Sequence, residues 1–583
     1  MRTFFEKYSG RFLLFIALLA FTTFIIQYGF YISDTLNNYL NTVNILVFLL
    51  FIFYQSGRIY YAEDRKEYIK SRWFDLLIMF LIIVHTILFI FFPFIFSKMA
   101  RSFHIFDLNL FYIIVIQIYI LVSLVVKAVR LSHIIAEYKI QPAKIFLISF
   151  LLLILFGTGL LMLPKATISG EITFIDALFT STSAVCVTGL TVVDTATYFT
   201  RFGQLVILGL LQIGGLGVMT LTTFFALFFA GGLGIKERVL ISDLIEEEKL
   251  GKIKYTLIQI ILTTFIIEAI GAVLIFHSMN DINMSFGDKV FHSVFHSISA
   301  FCNAGFSTFS ENLMYDGLRY DYLSVGTIGM LIILGGLGFG TISNLFELSY
   351  LTFKRNKKKV RYFSTQSKIV LISTFILILL GSILTYLLEY ENTLKGLTQD
   401  QKILASIFQS ITTRTAGFNT IPINELLIST SMVYILLMFI GASPGGTGGG
   451  IKTTTAFISF MAIFDFVRGK KKIEVYKRQI PDEIIHRVFI KIAFSLSFIF
   501  LTTFILTLTE KFSFVDLLFE QFSAFGTVGL SRGITPYLSV TGKTIIIILM
   551  YIGRIGPITF LTSFSKEVTQ PRYDYPSEYI STV

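Results

Sequence analysis

Four short segments of this 583-residue chain each contain a glycine at a corresponding position. They are STSAVCVTGLT (181–191), SISAFCNAGFS (297–307), SITTRTAGFNT (410–420, shifted by one residue in its first half) and FSAFGTVGLS (522–531). The glycines are Gly189, Gly305, Gly417 and Gly529, at intervals of 116, 112 and 112 residues, and ten residues before them stand Phe179, Phe295, Ile407 and Phe519. A period of this length is too long for a solenoid and indicates four copies of one unit.

The chemistry that these segments offer is coordination of a cation by main-chain carbonyl oxygens. Each glycine closes an apolar run that is too short to cross a bilayer, so we predict half-spanning helices that enter from outside. The extended return after each half-helix leaves carbonyls without helical partners, and four copies around one axis form a ring that can replace the water shell of a cation. Glycine permits the required backbone angles, whereas glycines used only for helix packing are the alternative. The runs lie near 174–188, 290–304, 402–416 and 514–528.

The composition defines the surroundings of these segments. Hydrophobic residues make up 54% of the chain, charged residues 15%, and the mean hydropathy is +0.75. This composition excludes disordered, coiled-coil and nucleic-acid-binding proteins, and two cysteines exclude a disulfide scaffold. No paired catalytic carboxylates, nucleophile constellation or metal set is evident, so the sequence does not favour an enzyme. We therefore predict an all-α polytopic membrane protein.

Long apolar runs supply the membrane helices of this prediction. The predicted fold has four helix–re-entrant loop–helix units around one pore, preceded by about four extra transmembrane helices. The extra helices lie near 12–32, 40–55, 73–97 and 109–131, and the first is interpreted as a retained helix. The flanking runs lie near 142–163, 203–229, 253–277, 323–352, 367–388, 430–466, 484–508 and 542–563. The predicted boundaries are 1–140 for the N-terminal block and 141–234, 235–353, 354–470 and 471–583 for the repeats.

Basic residues define the predicted orientation. The connections 234–254, 353–368 and 468–487 contain five, seven and seven Lys or Arg residues. By the positive-inside rule these connections are cytoplasmic, and the same count places 56–72 and the N-terminus inside. The net charge of +11 is therefore mostly a topology signal, not a nucleic-acid-binding patch.

A glycine-rich string, MVYILLMFIGASPGGTGGGIKTTTAF (432–457), interrupts the apolar run after the third half-helix. A membrane helix cannot continue through Pro444 and three consecutive glycines, so we predict two half-helices joined by a loop at membrane depth. A phosphate-binding loop is excluded because Ile451 follows Gly450 and Lys452 comes one place late.

Arg554 lies deep in the last apolar run, within YIGRIGPITFL (551–561). A charge at this depth indicates function, and below a cation ring it would oppose conduction. Its expected partners are loop carbonyls around Gly448 to Gly450, or the carboxylate of Glu520. An arginine that snorkels or locks a helix is the alternative.

Other polar residues leave weaker predictions. His292 and His296 are four residues apart on the second half-helix, but no third metal ligand is evident, which favours a polar face behind the ring. Cys186 and Cys302 are interpreted as small packing side chains. Glu268 either contributes negative charge or bonds a neighbouring helix.

Six strings together resemble the TrkH/KtrB/HKT superfamily of potassium transporters, and the compact repeats are closest to KtrB. The resemblance covers about residues 140 to 565, and the N-terminal block is a departure from the compact pattern. The helix near 111–131 carries only Lys127 and Arg130, so a packing, assembly or docking role is expected there instead of voltage sensing. The strings are SAVCVTGLTVVDT (183–195), SAFCNAGFS (299–307), TRTAGFNT (413–420), SAFGTVGLS (523–531), GASPGGTGGGIKT (441–453) and GRIGP (553–557).

The resemblance implies potassium uptake across the plasma membrane through a channel-like pore. Potassium, held mostly by main-chain carbonyls, is then the only metal ion and also the substrate, with no covalently bound cofactor. Gly189 favours potassium, because sodium-selective plant relatives have Ser there. The filter positions map to Val187, Thr188, Gly189, Asn303, Ala304, Gly305, Thr415, Ala416, Gly417, Thr527, Val528 and Gly529. The gating loop maps to Gly445, Gly446, Gly448, Gly449, Gly450 and Lys452, and the pore-blocking arginine to Arg554.

The resemblance also implies partners within the bilayer and at its cytoplasmic face. It implies a homodimer and a separate cytoplasmic RCK-type subunit, through which alone a nucleotide would act. The chain ends within about 20 residues of its last helix, so we expect no such domain within it. The stretches 353–368 and 468–478 are the expected contacts. The alternative function is a sodium- or proton-coupled secondary potassium transporter, with Glu268 and Glu520 as coupling groups.

Overall fold

The computed structural model describes residues 2–60, 80, 142–217, 253–315, 317–353, 364–470 and 472–564. Over these residues the chain is almost entirely helical. Its two strands, β1 (Glu474–Val475) and β2 (Arg478–Gln479), form one antiparallel hairpin. The predicted all-α class is therefore confirmed, while most of two basic connections (234–254 and 353–368) and the C-terminal tail lie outside the described residues.

The N-terminal block begins with two packed helices, α1 (Arg2–Gly29) and α2 (Asp34–Tyr60). Gln27 holds them together, because its amide nitrogen donates to Asn37 and its amide oxygen accepts from Asn44, both at 2.9 Å. Lys165 of the first repeat donates to the Gln27 carbonyl at 3.1 Å, which joins this block to the repeats. The predicted helices near 73–97 and 109–131 lie outside the described residues.

The first two repeats have the same order of elements: a first helix, a half-helix, an extended return and a second helix. The first repeat contains α3 (Pro142–Leu161), the half-helix α4 (Phe174–Val185), the short α5 (Thr195–Tyr198) and α6 (Arg201–Leu216). The second contains α7 (Ile253–Ser278), the half-helix α8 (Phe286–Phe301), α9 (Tyr322–Leu337) and α10 (Phe339–Phe353).

The last two repeats follow the same order on either side of the β-hairpin. The third contains α11 (Thr365–Glu389), the half-helix α12 (Gln399–Thr412), α13 (Ile428–Phe439) and α14 (Thr453–Val467). The fourth contains α15 (Asp482–Thr509), the half-helix α16 (Phe514–Gly526), α17 (Val540–Ile555) and α18 (Pro557–Phe564).

The half-helices start where the sequence supplies a cap. A hydroxyl accepts a hydrogen bond from the backbone three residues later, which satisfies a donor that the first helical turn leaves free. Twelve to 16 residues of helix are too short to cross a bilayer core of about 30 Å. The capping residues are Thr173, Ser285, Thr398 and Ser513.

Two of the long apolar runs are sharply bent where the sequence suggested one continuous helix. The run 323–352 bends by 101° between α9 and α10, and the run 542–563 bends by 96° between α17 and α18. Gly338 and Gly556 occupy these breaks with φ of 84° and 92°, a left-handed backbone that glycine adopts without strain. Four described helices are long and apolar enough to cross a membrane, or six spans if each bent pair counts as one. The chain is therefore a multi-pass membrane protein.

Polar contacts on the side where the half-helices begin join each repeat to its neighbour. Three of these contacts use arginine side chains, and the fourth is an ion pair of 2.6 Å between Lys543 and Asp176. The order of the contacts closes the four repeats into a ring. Arg201 pairs with Asp288, Arg319 donates to the Thr420 carbonyl at 2.8 Å, and Arg532 donates to the Leu426 carbonyl at 3.1 Å.

The contact between α7 and the second half-helix gives a stability prediction. A Cβ at Gly271 would lie 2.6 Å from the Ser297 hydroxyl oxygen, which donates to the Glu268 carbonyl. We expect Gly271→Ala to lower the free energy of unfolding by about 1–3 kcal/mol, because overpacking would break this hydrogen bond. Gly326→Ala is the control, since its Cβ meets nothing within 4 Å. Thermal unfolding in detergent tests this, and equal melting temperatures for both variants would contradict it.

Candidate functional site

The four extended returns meet in one ring. A Cβ added at each shared glycine would overlap a carbonyl oxygen of the neighbouring return. The order of these close approaches follows the chain and closes on itself, so the structure brings the four predicted segments together around one axis. Gly189 faces the Ala304 carbonyl, Gly305 faces Ala416, Gly417 faces Val528, and Gly529 faces Thr188. We refer to 187–189, 303–305, 415–417 and 527–529 as the ring segments.

All four ring segments share one unusual backbone conformation. The glycines have φ between 69° and 93°, and the non-glycine residue two positions earlier is also left-handed. A left-handed non-glycine residue costs about 1–2 kcal/mol, so the surrounding contacts must hold it in place. The residues are Val187 (57°), Asn303 (60°), Thr415 (69°) and Thr527 (48°).

The middle residue of each ring segment turns its amide toward its own half-helix. Each N–H donates to a carbonyl near the end of that helix, at 2.7 to 3.0 Å. Within the described part of the chain, no donor reaches the carbonyl oxygens of these same residues, although the residues are fully buried. A buried carbonyl without a donor is costly and calls for a cation or water as its partner. The middle residues are Thr188, Ala304, Ala416 and Val528.

The third half-helix is one residue shorter than the others between its anchor and its glycine. Ser181, Ser297 and Ser410 each donate a hydroxyl to a carbonyl of the preceding first helix, at 2.6 to 2.7 Å. These serines lie eight, eight and seven residues before their glycines. The buried counterpart of Phe179, Phe295 and Phe519 is consequently Phe408, not Ile407, which is exposed.

After the third half-helix, a loop joins two short helices, as the sequence predicts. It runs over residues 440–452 between α13 and α14, and we call it the 440–452 loop. Gly441 donates to the Ile451 carbonyl at 2.9 Å, which holds the two ends of the loop together. Gly449 donates to the Thr527 hydroxyl at 2.9 Å, and Gly448 packs against the Thr415 hydroxyl so closely that a Cβ has no room. The loop therefore directly contacts two ring segments.

Arg554 joins this loop to the first repeat. Its guanidinium donates to the carbonyls of Thr447 and Gly214. The sequence analysis expected carbonyls around Gly448 to Gly450 as partners, and the Thr447 carbonyl lies one residue before them. Glu520, the other suggested partner, accepts instead from the Thr535 hydroxyl. The arginine thus connects the loop and two repeats.

Lys452 also holds the loop and lies beside the same cavity as Arg554. Its ammonium donates to the Gly448 carbonyl at 2.8 Å. Both cations line a cavity of about 490 Å³, together with Gly445, Gly446 and the inner surfaces of several helices. The cavity beside the loop is therefore lined by two positive charges.

The remaining polar residues of the sequence analysis have local partners. Both carboxylate oxygens of the buried Glu268 accept from the Gln212 amide, at 3.1 and 3.2 Å, so Glu268 bonds a neighbouring helix. His292 and His296 contact Thr308 and Ser307, at 2.6 and 2.9 Å, just after the second ring glycine. These contacts agree with a polar face behind the ring. Among the described residues no group of three potential metal ligands occurs.

The family model of the TrkH cation transport proteins matches residues 113–575. The chain belongs to the TrkH family. The predicted resemblance to the TrkH/KtrB/HKT superfamily is thereby confirmed, and most of the predicted N-terminal block precedes the family match.

Relatives of this TrkH-family chain are transporters and not enzymes. The Ktr system potassium uptake protein B of Bacillus subtilis (strain 168) is 39% identical over 450 residues, which cover 76% of this chain and 97% of that protein. The potassium/sodium uptake protein NtpJ of Enterococcus hirae is 36% identical over 453 residues, with the same coverage. The crystal structure of the potassium transporter TrkH from Vibrio parahaemolyticus has the same fold, with a TM-score of 0.57, 17% identity, and coverage of 76% of this chain and 96% of that one.

Proposed function

We propose that this protein takes up potassium across the plasma membrane through a channel-like pore, with the ring as its selectivity filter. One observation carries the proposal: four buried carbonyls, one from each repeat, accept no hydrogen bond from the described residues. Such a ring can replace the water shell of a cation. The twelve residues of the ring segments are the proposed filter, mostly through their main-chain oxygens.

Potassium is the proposed ion for two reasons. The first glycine of the ring, Gly189, is intact, so no side chain intrudes on the neighbouring carbonyl. The relatives also carry potassium in their names, and one of them carries sodium as well. A test of this proposal must therefore compare the two ions directly.

The 440–452 loop is the proposed gate, and Arg554 is the residue proposed to hold it closed. The proposed gate residues are Gly445, Gly446, Gly448, Gly449, Gly450 and Lys452. With the loop in place, Arg554 donates to the Thr447 carbonyl and contributes a positive charge beside the path of the ion. Withdrawal of the loop would remove both the obstruction and the anchor of this charge. Opening is thus proposed as a local movement, not as alternating access of the whole protein.

A cytoplasmic RCK-type subunit is the proposed regulator, acting on a homodimer with its N-termini inside. The name "Ktr system" of a relative supports a multi-component assembly. The hairpin of β1 and β2 follows α14, the helix that begins directly after the proposed gate. Lys477 and Arg478, at the turn of this hairpin, are exposed and offer a basic surface. A nucleotide would act through the partner and not on this chain.

Ion uptake into proteoliposomes tests the proposed function. We expect wild-type protein to take up rubidium, the usual potassium substitute, in preference to sodium and down its own gradient. Uptake should persist without a sodium or proton gradient. If uptake requires either gradient, a coupled carrier replaces the proposed channel, and Glu268 and Glu520 become its first coupling groups to examine.

A further inference from the structure

Arg414 is a buried cation that neither the proposed filter nor the proposed gate uses. It lies between the third half-helix and the ring residue Thr415, and only 8% of its surface is exposed. The other repeats have small residues at the corresponding place, three positions before the ring glycine: Cys186, Cys302 and Gly526. The third repeat alone therefore places a guanidinium between its half-helix and the ring.

The contacts of Arg414 point to the 440–452 loop. One terminal nitrogen donates to the Gly441 carbonyl at 3.4 Å, a long hydrogen bond, and within the described residues Nε reaches no acceptor. A buried charge needs several good hydrogen bonds to offset its loss of water. The hydrogen-bonding capacity of the Arg414 guanidinium is thus poorly satisfied by the described residues. Its acceptor among them, the Gly441 carbonyl, belongs to the loop.

The residue next to Arg414 also depends on the loop. Thr415 has a left-handed backbone, and its hydroxyl lies against Gly448 of the loop on one side. On the other side the Thr415 hydroxyl is 3.3 Å from the amide of Asn303, in the neighbouring ring segment. Arg414 and Thr415 together therefore form a short connection from the loop to two ring segments.

We propose that Arg414 is a positioning residue that makes ion selectivity depend on the position of the loop. This inference rests on the proposed function of the ring and the loop. With the loop in place, the Gly441 carbonyl holds the Arg414 guanidinium. This contact stabilises the left-handed backbone of Thr415, the first residue of the third ring segment. When the loop withdraws, Arg414 loses this acceptor, and the segment from Thr415 to Gly417 relaxes. With the loop withdrawn, the pore therefore passes ions faster but less selectively than it does with the loop in place.

A double-mutant cycle tests the coupling. Rubidium and sodium uptake are measured for wild type, Arg414→Gln, a 445–450 deletion and the combination. We expect Arg414→Gln to lower the rubidium-to-sodium ratio by about fivefold or more, the lower end of usual coupling between sites. The deletion should lower the ratio similarly, and the combination should lower it no further. An unchanged ratio in Arg414→Gln, or effects that multiply in the combination, would overturn the proposal.

Two further variants separate the inference from simpler explanations. Lys402→Gln removes another buried cation from a carbonyl, that of Tyr390, on the third half-helix but away from the loop, so we expect an unchanged ratio. If it lowers the ratio as much as Arg414→Gln, the effect belongs to the loss of any buried charge from this half-helix and the proposal fails.

Arg414→Lys carries the test if Arg414→Gln does not fold. It keeps the charge and loses the forked donors, so its ratio should lie between those of wild type and the deletion, and a wild-type ratio would overturn the proposal. Failure of the proposed function is seen separately, because the wild type itself would then not prefer rubidium.

Discussion

Gly189→Ser is expected to lower the rubidium-to-sodium uptake ratio by about ten- to a hundredfold. The residue has φ of 91°, and a Cβ there would overlap the Ala304 carbonyl oxygen of the next ring segment. A strained non-glycine backbone costs about 1–3 kcal/mol, and each 1.4 kcal/mol is worth about a factor of ten. The ring can relieve this strain only by moving the carbonyls that distinguish the ions. Parallel rubidium and sodium uptake in proteoliposomes measures the ratio.

Gly396→Ser is the matched control for this substitution. Gly396 has φ of 85°, close to that of Gly189, but a Cβ there meets nothing within 4 Å. The control therefore introduces the same side chain and similar backbone strain away from the ring. It should leave the uptake ratio at the wild-type value. Equal losses of selectivity in both variants would mean that strain, and not the ring carbonyls, determines the result.

Release of the 440–452 loop is expected to raise rubidium flux about tenfold. Deletion of 445–450 removes the obstruction, and Arg554→Gln removes a charge together with the anchor of the loop at Thr447. A tenfold change corresponds to about 1.4 kcal/mol. That is well below the interaction of about 4 kcal/mol between two unit charges 4 Å apart at an effective dielectric constant near 20. Initial rates of rubidium uptake, normalised to the amount of reconstituted protein, measure the change.

Lys395→Gln controls for the loss of one positive charge. Lys395 is exposed in the connection between α11 and α12, far in sequence from the loop and from Arg554. Its replacement should leave the rubidium flux unchanged. If Arg554→Gln also leaves flux unchanged while the deletion raises it, the arginine does not lock the gate. If neither change raises flux, the loop is not a barrier.

The repeated unit could be predicted from sequence because its signals are local. Gly189 and its three counterparts recur at nearly constant intervals, and the first half-helix, predicted near 174–188, is found at Phe174–Val185. The sequence also shows that the third repeat is shifted by one residue. It does not show which residue corresponds to Phe179, because Ile407 and the neighbouring Phe408 are both apolar and only their burial in the structure distinguishes them.

The bends and the long-range contacts could not be derived in the same way. Gly338 and Gly556 interrupt runs that stay apolar on both sides, so hydropathy continues across each bend. The guanidinium of Arg554 reaches a carbonyl at Gly214, 340 residues away, and main-chain oxygens leave no signature in the sequence. Glu268 could be recognised as buried and polar, but its partner Gln212 is one of many polar residues.

The most direct test of the central claim is the position of bound rubidium. Crystals of the protein grown in rubidium should show an anomalous difference peak on the axis of the ring. We expect the peak among the carbonyl oxygens of Thr188, Ala304, Ala416 and Val528, and we expect Gly189→Ser to weaken it. Rubidium bound only elsewhere, for example beside Glu268 or Glu520, in a protein that transports rubidium would contradict the account.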